Sequence, residues 1–353
     1  MQERLVDVLG WLVDIPSETG HEAEICDAVS RRLAGLPQTR VQDSLVVGEP
    51  SGRPIVALVG HLDTVPRQGQ GPARVEDGRL YGLGASDMKA GLAVMIRLLP
   101  EVAHGPYDVV GIFYAAEEGP HDANQLRAVL ADVEWLRRVD CAVILEPTDG
   151  RLEYGCNGVI NARVGFRGRA SHSARPWWGE NAVTKAGEWL ATMHRLEPRP
   201  YVEGGLEYRC TVAVTRARGG VANNVVPATF ELNVNMRFTP DMTLDEAVAE
   251  LEEICSPADD FEVTDTAPAG SISADHPIIA RLAAISGAER AGKQGWTDAA
   301  RFSEIDVPAI NYGPGEAAQA HQADESVEIA AMDRVYAVLS QLLTEPAAQS
   351  PPT

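Results

Sequence analysis

At 353 residues and 45% apolar content, the chain exceeds one ordinary core, and a large domain with a smaller companion is expected. Thirty Lys and Arg against fifty-one Asp and Glu leave a net charge of -21. That field repels phosphate backbones and anionic lipid surfaces, so nucleic-acid and membrane partners are not expected.

Leu5, Leu9, Leu12 and Ile15 fall at helical spacing, and a second helix is predicted from His21 to Leu36, after the turn at Pro16-Ser17. The opening stretch carries acidic residues and shows neither a basic leader nor a cleavage site. No apolar run approaches the roughly 20 residues of a bilayer span. A cytoplasmic protein is the expectation. The five cysteines, Cys26, Cys141, Cys156, Cys210 and Cys255, are an odd number with no CxxC pair and read as reduced thiols.

Strand-like apolar runs follow at Ile55–Val59, Val109–Tyr114, Ala142–Leu145 and Val307–Ile310, with a helix over Met88–Leu99 between the first two. The alternation predicts an α/β fold with a mostly parallel sheet. The middle of the chain reads differently. Strands at Gly158–Phe166, Thr211–Thr215, Thr229–Phe238 and Phe261–Thr264 are interleaved with helices at Asn181–Leu196 and Thr243–Ile254. That β-α-β-β-α-β order is ferredoxin-like, and Thr243 with Glu246 is placed for a capping box. The expected division is residues 1–157 and 268–353 as the main domain, with 158–267 inserted. The Pro-, Ala- and Ser-rich stretch 345–353 is expected to be disordered.

Each core strand runs into a potential ligand. Ile55–Gly60 leads to His61 and Asp63, Val109–Ala116 to Glu117-Glu118, Ala142–Leu145 to Glu146, and Val307–Ile310 through a Gly-Pro-Gly loop towards His321. The carboxyl ends of strands form the ligand crevice of an open α/β sheet, so four strand exits would converge there. Singly, each residue has a bland alternative as a loop or strand-end polar group. Together, adjacent carboxylates in a crevice raise one another's pKa unless a cation is present. The glycine-rich Tyr81–Gly91 segment lacks phosphate-loop spacing, and its acidic Asp87 sits where an anion would bind, so Asp87 reads as a metal ligand.

GHLDTVP from Gly60, GLGASDMKAG from Gly82, Glu117-Glu118, the EPT at Glu146, RASHSARP from Arg169 and the late His321 together resemble the M20 metallopeptidase family, over nearly the whole chain. The runs GVANNVVP from Gly220, VNMRF from Val234 and GWTDAARF from Gly295 are most similar to its desuccinylase branch, which acts on N-succinyl-diaminopimelate. The proteobacterial pattern differs from this chain at Trp296 and Ala299, which implies a differently shaped pocket.

The resemblance implies a two-metal amidohydrolase with Asp87 bridging the metals. His61 and Glu146 would complete one site, Glu118 and His321 the other. Glu117 would be the general base, and Asp63 would hold His61 in its ligating tautomer. The Asp87–Met88 peptide would be cis. The insert would act as a lid and dimerisation domain, giving a homodimer in which His172 reaches the partner's site to stabilise the oxyanion. Imidazole with carboxylate and no thiolate suits zinc, with cobalt or manganese accepted. The expected substrate is a small acyl-amino acid. Arg175 and Arg237, with Arg301 less favoured, are candidates for its carboxylates, and Asn224 and Thr297 for further contacts. Deacetylation of an acetylated amino acid, exopeptidase cleavage and a non-catalytic binding module are the alternatives.

Overall fold

The computed structural model describes residues 3–346, so residues 347–353 of the expected tail lie outside it. The chain divides into two compact units. One runs to Gly155, takes in Ser271–Ala291 and resumes at Thr297; the other comprises Cys156–Gly270 and Gly292–Trp296.

The first unit is built on a mixed eight-stranded sheet. Its centre is four adjacent parallel strands in the order Asp108–Tyr114, Ile55–His61, Cys141–Ile144 and Ala309–Asn311. Antiparallel strands flank this centre, Ser44–Val47 on one side and Leu152–Tyr154 on the other. All seven residues of Ile55–His61 are buried. The reason is that both faces of the strand are covered. Ile55, Ala57 and Val59 join a cluster with Leu126, Val129, Leu136 and Phe302. On the other face a Cβ at Gly60 would fall 2.6 Å from Met88 and 2.8 Å from Leu92. A doubly covered parallel strand reads as a continuous apolar run, which is what made it visible in the sequence.

Helix Ala90–Leu98 begins two residues after the expected start, because Asp87 and Met88 have non-helical backbone angles. Gly91 lets it approach closely, since a Cβ there would lie 2.5 Å from the Leu145 carbonyl oxygen. No helix among the described residues is long and apolar enough to cross a membrane. All five cysteines are buried and unbridged.

The second unit carries a five-stranded antiparallel sheet in the order Arg199–Glu203, Leu206–Gly219, Thr229–Phe238, Gly158–Arg167, Asp260–Ala267. Ile160, Ala162, Val164, Leu232, Val234 and Met236 pack with Trp189 and Leu251 of its helices. Helix Leu244–Cys255 has the capping box, with the Glu246 N–H donating to Thr243 Oγ1 at 3.2 Å and the Thr243 N–H to Glu246 Oε2 at 2.9 Å. Two features differ from the sequence reading. The single helix expected over Asn181–Leu196 is two, Ala182–Lys185 and Gly187–Arg195. The strand expected at Thr211–Thr215 spans Leu206–Gly219 and forms a hairpin with Arg199–Glu203, turning at Gly204 and Gly205, both at positive φ. Pro200 obscured that strand, yet proline is tolerated on a sheet edge.

Candidate metal centre

The parallel strands end side by side. His61 pairs with Tyr114 in register, Val59 with Ile144, and Ile144 with Asn311. The segments that leave these ends carry His61 and Asp63, Glu117 and Glu118, Glu146, and His321. Asp87 arrives from an irregular turn, Ala85–Lys89, and the Asp87–Met88 peptide is cis.

The Asp87 carboxylate faces two imidazoles with two different oxygens. Oδ1 lies 3.2 Å from His61 Nε2, and Oδ2 lies 3.7 Å from His321 Nε2. Glu146 Oε1 is 3.9 Å from His61 Nε2, while Glu118 Oε1 is 2.9 Å from His321 Nε2. One ligand atom each from His61, Asp87 and Glu118 lie within 4.8 Å of one another. His61 is fully buried, while His321 is half exposed.

Asp63 organises this cluster. His61 Nδ1 sits 3.0 Å from the Asp63 carbonyl oxygen. A ring that donates from Nδ1 presents a lone pair at Nε2. The Asp63 carboxylate accepts the N–H groups of Glu117 and Glu118, both at 3.0 Å, and the Thr19 hydroxyl at 2.9 Å. Burial opposes its charge, but the His61 ring and these backbone donors outweigh that and hold its pKa below the ordinary value.

The donor set fits divalent cations. A lone pair at His61 Nε2, 3.2 Å from a carboxylate oxygen, is repelled unless a proton or a cation lies between them. Burial disfavours a charged His61, yet its hydrogen bonds to Asp63 and Asp87 push its pKa well above 6.5. The site thus demands positive charge. The same deficit appears on the carboxylates. Burial, with Glu146, Asp298 and Glu118 nearby and only His61 opposing, pushes Glu117 well upward, and burial with Asp87 raises Glu118.

Other expected site residues lie in the second unit. His172, Arg175 and Asn224 belong to two exposed loops joined by Ser173 N–H to Asn224 O at 2.9 Å and Val226 N–H to Ser171 O at 2.8 Å. The Ala174 N–H donates to His172 Nδ1 at 3.0 Å, so the neutral ring carries its proton on Nε2. Arg175 stacks over Trp178 at 5.0 Å. Arg237 is half-buried in the sheet, opposite Val159 and Thr211, and forms no ion pair among the described residues. Burial lowers its pKa. Thr297 is buried in the first unit.

Arg301, the least favoured of the three arginines, is engaged elsewhere in the structure. Its Nε donates to Asp298 at 2.8 Å and Nη2 to the His121 carbonyl at 2.8 Å, with 3% of the side chain exposed. A guanidinium committed to a buried carboxylate is not presented to a substrate.

Sequence reasoning also passed over buried polar groups that hold the centre together. Glu22 accepts the N–H groups of Gly20 and Ala116, at 2.9 and 3.1 Å. Lys89 donates to the carbonyls of Leu12 and Ile15, at 3.0 and 2.9 Å, and burial brings its pKa down to about 7. Glu325 accepts from the turn that bears Asp87. In the sequence, Lys89 stands two residues after Asp87 within GLGASDMKAG, and Glu325 follows His321 by four residues.

Residues 57–345 match the model of peptidase family M20/M25/M40. The chain is 34% identical over 349 residues to the succinyl-diaminopimelate desuccinylase of Corynebacterium glutamicum, covering 95% of this chain and 94% of that protein. It is 35% identical over 331 residues to a Mycobacterium tuberculosis protein provisionally named succinyl-diaminopimelate desuccinylase DapE, covering 92% and 93%. The fold matches the aminopeptidase PepT of Bacillus cereus with a TM-score of 0.79 at 20% identity, covering 97% and 98%. The cluster of imidazoles and carboxylates at the strand ends therefore sits in a metallohydrolase of amide bonds, and the chain belongs to peptidase family M20/M25/M40.

Proposed function

We propose that the protein is a desuccinylase that hydrolyses N-succinyl-diaminopimelate at a centre of two divalent cations, zinc in the first instance. The observation that carries the two-metal part is Asp87, whose two oxygens face His61 and His321 separately. In this reading His61, Glu146 and Asp87 would hold one ion, and Asp87, Glu118 and His321 would hold the other. Such ions would polarise the amide carbonyl and make the attacking water more acidic.

The chain's own groups do the rest. Glu117 takes a proton from the attacking water and returns it to the leaving amine. Asp63 fixes the backbone of Glu117 and the tautomer of His61. His172, with its proton on Nε2, donates to the developing oxyanion, acting from the second copy of a homodimer. The second unit, a five-stranded sheet packed with helices Ala182–Lys185, Gly187–Arg195 and Leu244–Cys255, would serve as lid and dimerisation domain.

Substrate choice follows from charge. N-succinyl-diaminopimelate brings three carboxylates to a chain of net charge -21, so local cations must overcome the overall field. Arg237, half-buried and without an ion pair among the described residues, and Arg175 supply guanidinium groups, with Asn224 and Thr297 as further contacts. The relatives named as desuccinylases support the same choice.

The test is a substrate panel on zinc-loaded enzyme. The expected kcat/KM for N-succinyl-diaminopimelate exceeds that for N-acetylated counterparts by about a hundredfold, or about 2.7 kcal/mol. Arg237→Ala shrinks that ratio. Equal rates on succinyl and acetyl donors overturn the desuccinylase reading in favour of an acyl-amino-acid deacylase or exopeptidase of the same family.

A further inference from the structure

The turn that delivers Asp87 has a backbone problem. Asp87 and Met88 are non-helical (φ -118°, ψ 96° and φ -128°, ψ 35°), and Gly84 is left-handed at φ 75°. The turn's own carbonyls take the N–H groups of Ala85, at 3.1 Å, and Lys89, at 2.8 Å, but those of Gly84, Ser86 and Asp87 turn to an acceptor elsewhere, as buried donors require.

One side chain meets that need. Glu325 Oε2 accepts the Gly84 N–H at 2.7 Å, and Oε1 accepts those of Ser86 at 2.8 Å and Asp87 at 2.9 Å. Its own carbonyl accepts the Gly82 N–H at 3.0 Å, and the residue is 2% exposed. A second tie joins the same segments: Ser86 Oγ donates to the Glu316 carbonyl at 3.0 Å and accepts the Glu316 N–H at 2.7 Å.

We propose that Glu325 is a positioning residue that holds the Asp87 turn against the loop bearing His321, and so sets the spacing of the two cation sites. The inference rests on the two-metal reading given above. Glu325 touches no ligand atom. It grips the backbone N–H of the shared ligand from a point four residues beyond a terminal ligand, so both sites depend on it. Groups that orient metal ligands in this way typically account for 10–100-fold in affinity.

The readout is zinc binding rather than turnover. Zinc is titrated calorimetrically into chelator-stripped wild type, Glu325→Gln and Glu325→Asp, with cobalt absorption spectra of each and melting temperatures in excess EDTA. Wild type is expected to take two ions. In Glu325→Gln an amide replaces one accepting oxygen with a donor that opposes the backbone N–H groups, and a 10–100-fold loss of zinc affinity with altered cobalt bands is expected. Glu325→Asp, whose shorter arm reaches fewer donors, gives an intermediate loss and serves if the first variant does not fold. Variants that bind two zinc ions at wild-type affinity with unchanged cobalt spectra overturn the clamp, even if their metal-free melting temperature falls, because that pattern marks a purely structural contact. A wild type that takes up no zinc overturns the two-metal reading and the clamp with it.

Discussion

Arg301 and Asp298 are paired at 2.8 Å where neither side chain retains more than 3% of its exposure, and Asp298 also accepts from Tyr114 Oη at 2.6 Å and from Asn124 Nδ2 at 3.0 Å. Breaking a buried pair from one side leaves an uncompensated charge. Arg301→Gln is therefore expected to cost about 3–5 kcal/mol in urea unfolding. The ratio of succinyl to acetyl turnover should be unchanged in whatever folded fraction remains. A selective loss of succinyl activity with intact stability contradicts the structural role.

Glu117 and Asp87 make a contrasting pair of substitutions. Glu117 stands beside the ligands as proton carrier, so Glu117→Gln is expected to lower kcat by about 10²–10⁴ while elemental analysis still finds two ions per chain. Asp87→Ala removes the shared ligand and is expected to empty both sites. Near-normal turnover of the first variant, or two ions retained by the second, would exclude these roles.

Asp108 provides a pH signature distant from the metal ligands. Burial alone raises its pKa, but the N–H and hydroxyl of Ser51, the N–H groups of Gly52 and Arg53 and the Arg53 guanidinium reverse this and bring it down to about 2, against an ordinary 3.8. A depressed folded-state pKa contributes stability above the unfolded value and loses it as pH falls through the folded one. Wild type is expected to exceed Asp108→Asn by about 1–2 kcal/mol at neutral pH. That gap should narrow between pH 4 and pH 2. A gap that stays constant with pH would show that the carboxylate charge is not its source.

His172 is testable by complementation. Mixed His172→Ala and Glu117→Gln proteins that exchange subunits are expected to recover activity, because an intact Glu117 site then meets a partner's intact His172. Mass spectrometry verifies the exchange. Verified heterodimers without activity refute action across the interface.

Local pattern alone carried much of the molecule. The parallel centre was legible because strands covered on both faces are unbroken apolar runs, and His61, Glu117, Glu118 and Glu146 stand within a few residues of where such runs end. Helix Leu244–Cys255 was legible from its cap. Asp87 was legible from a glycine-rich segment without phosphate-loop spacing, and His321 only loosely, as a residue beyond the last core strand, until the motif resemblance joined them, since an irregular turn and a long loop have no periodicity to read.

What the tertiary structure decided is partnership. Nothing local to Arg301 separates a guanidinium offered to substrate from one spent on Asp298, because the difference depends on packing that excludes water from both. The edge strand Arg199–Glu203 was hidden for a related reason: proline is disfavoured in strands in general and tolerated where no neighbour lies beyond, and only the sheet order shows which strand is the edge. Glu325 shows the limit most plainly. Its three donors lie about 240 positions earlier in the chain, and a carboxylate's affinity for backbone N–H groups acts over about 3 Å of space regardless of sequence separation. Sequence thus names the groups able to bind cations at strand ends, and folding alone determines which remaining charges hold those groups still.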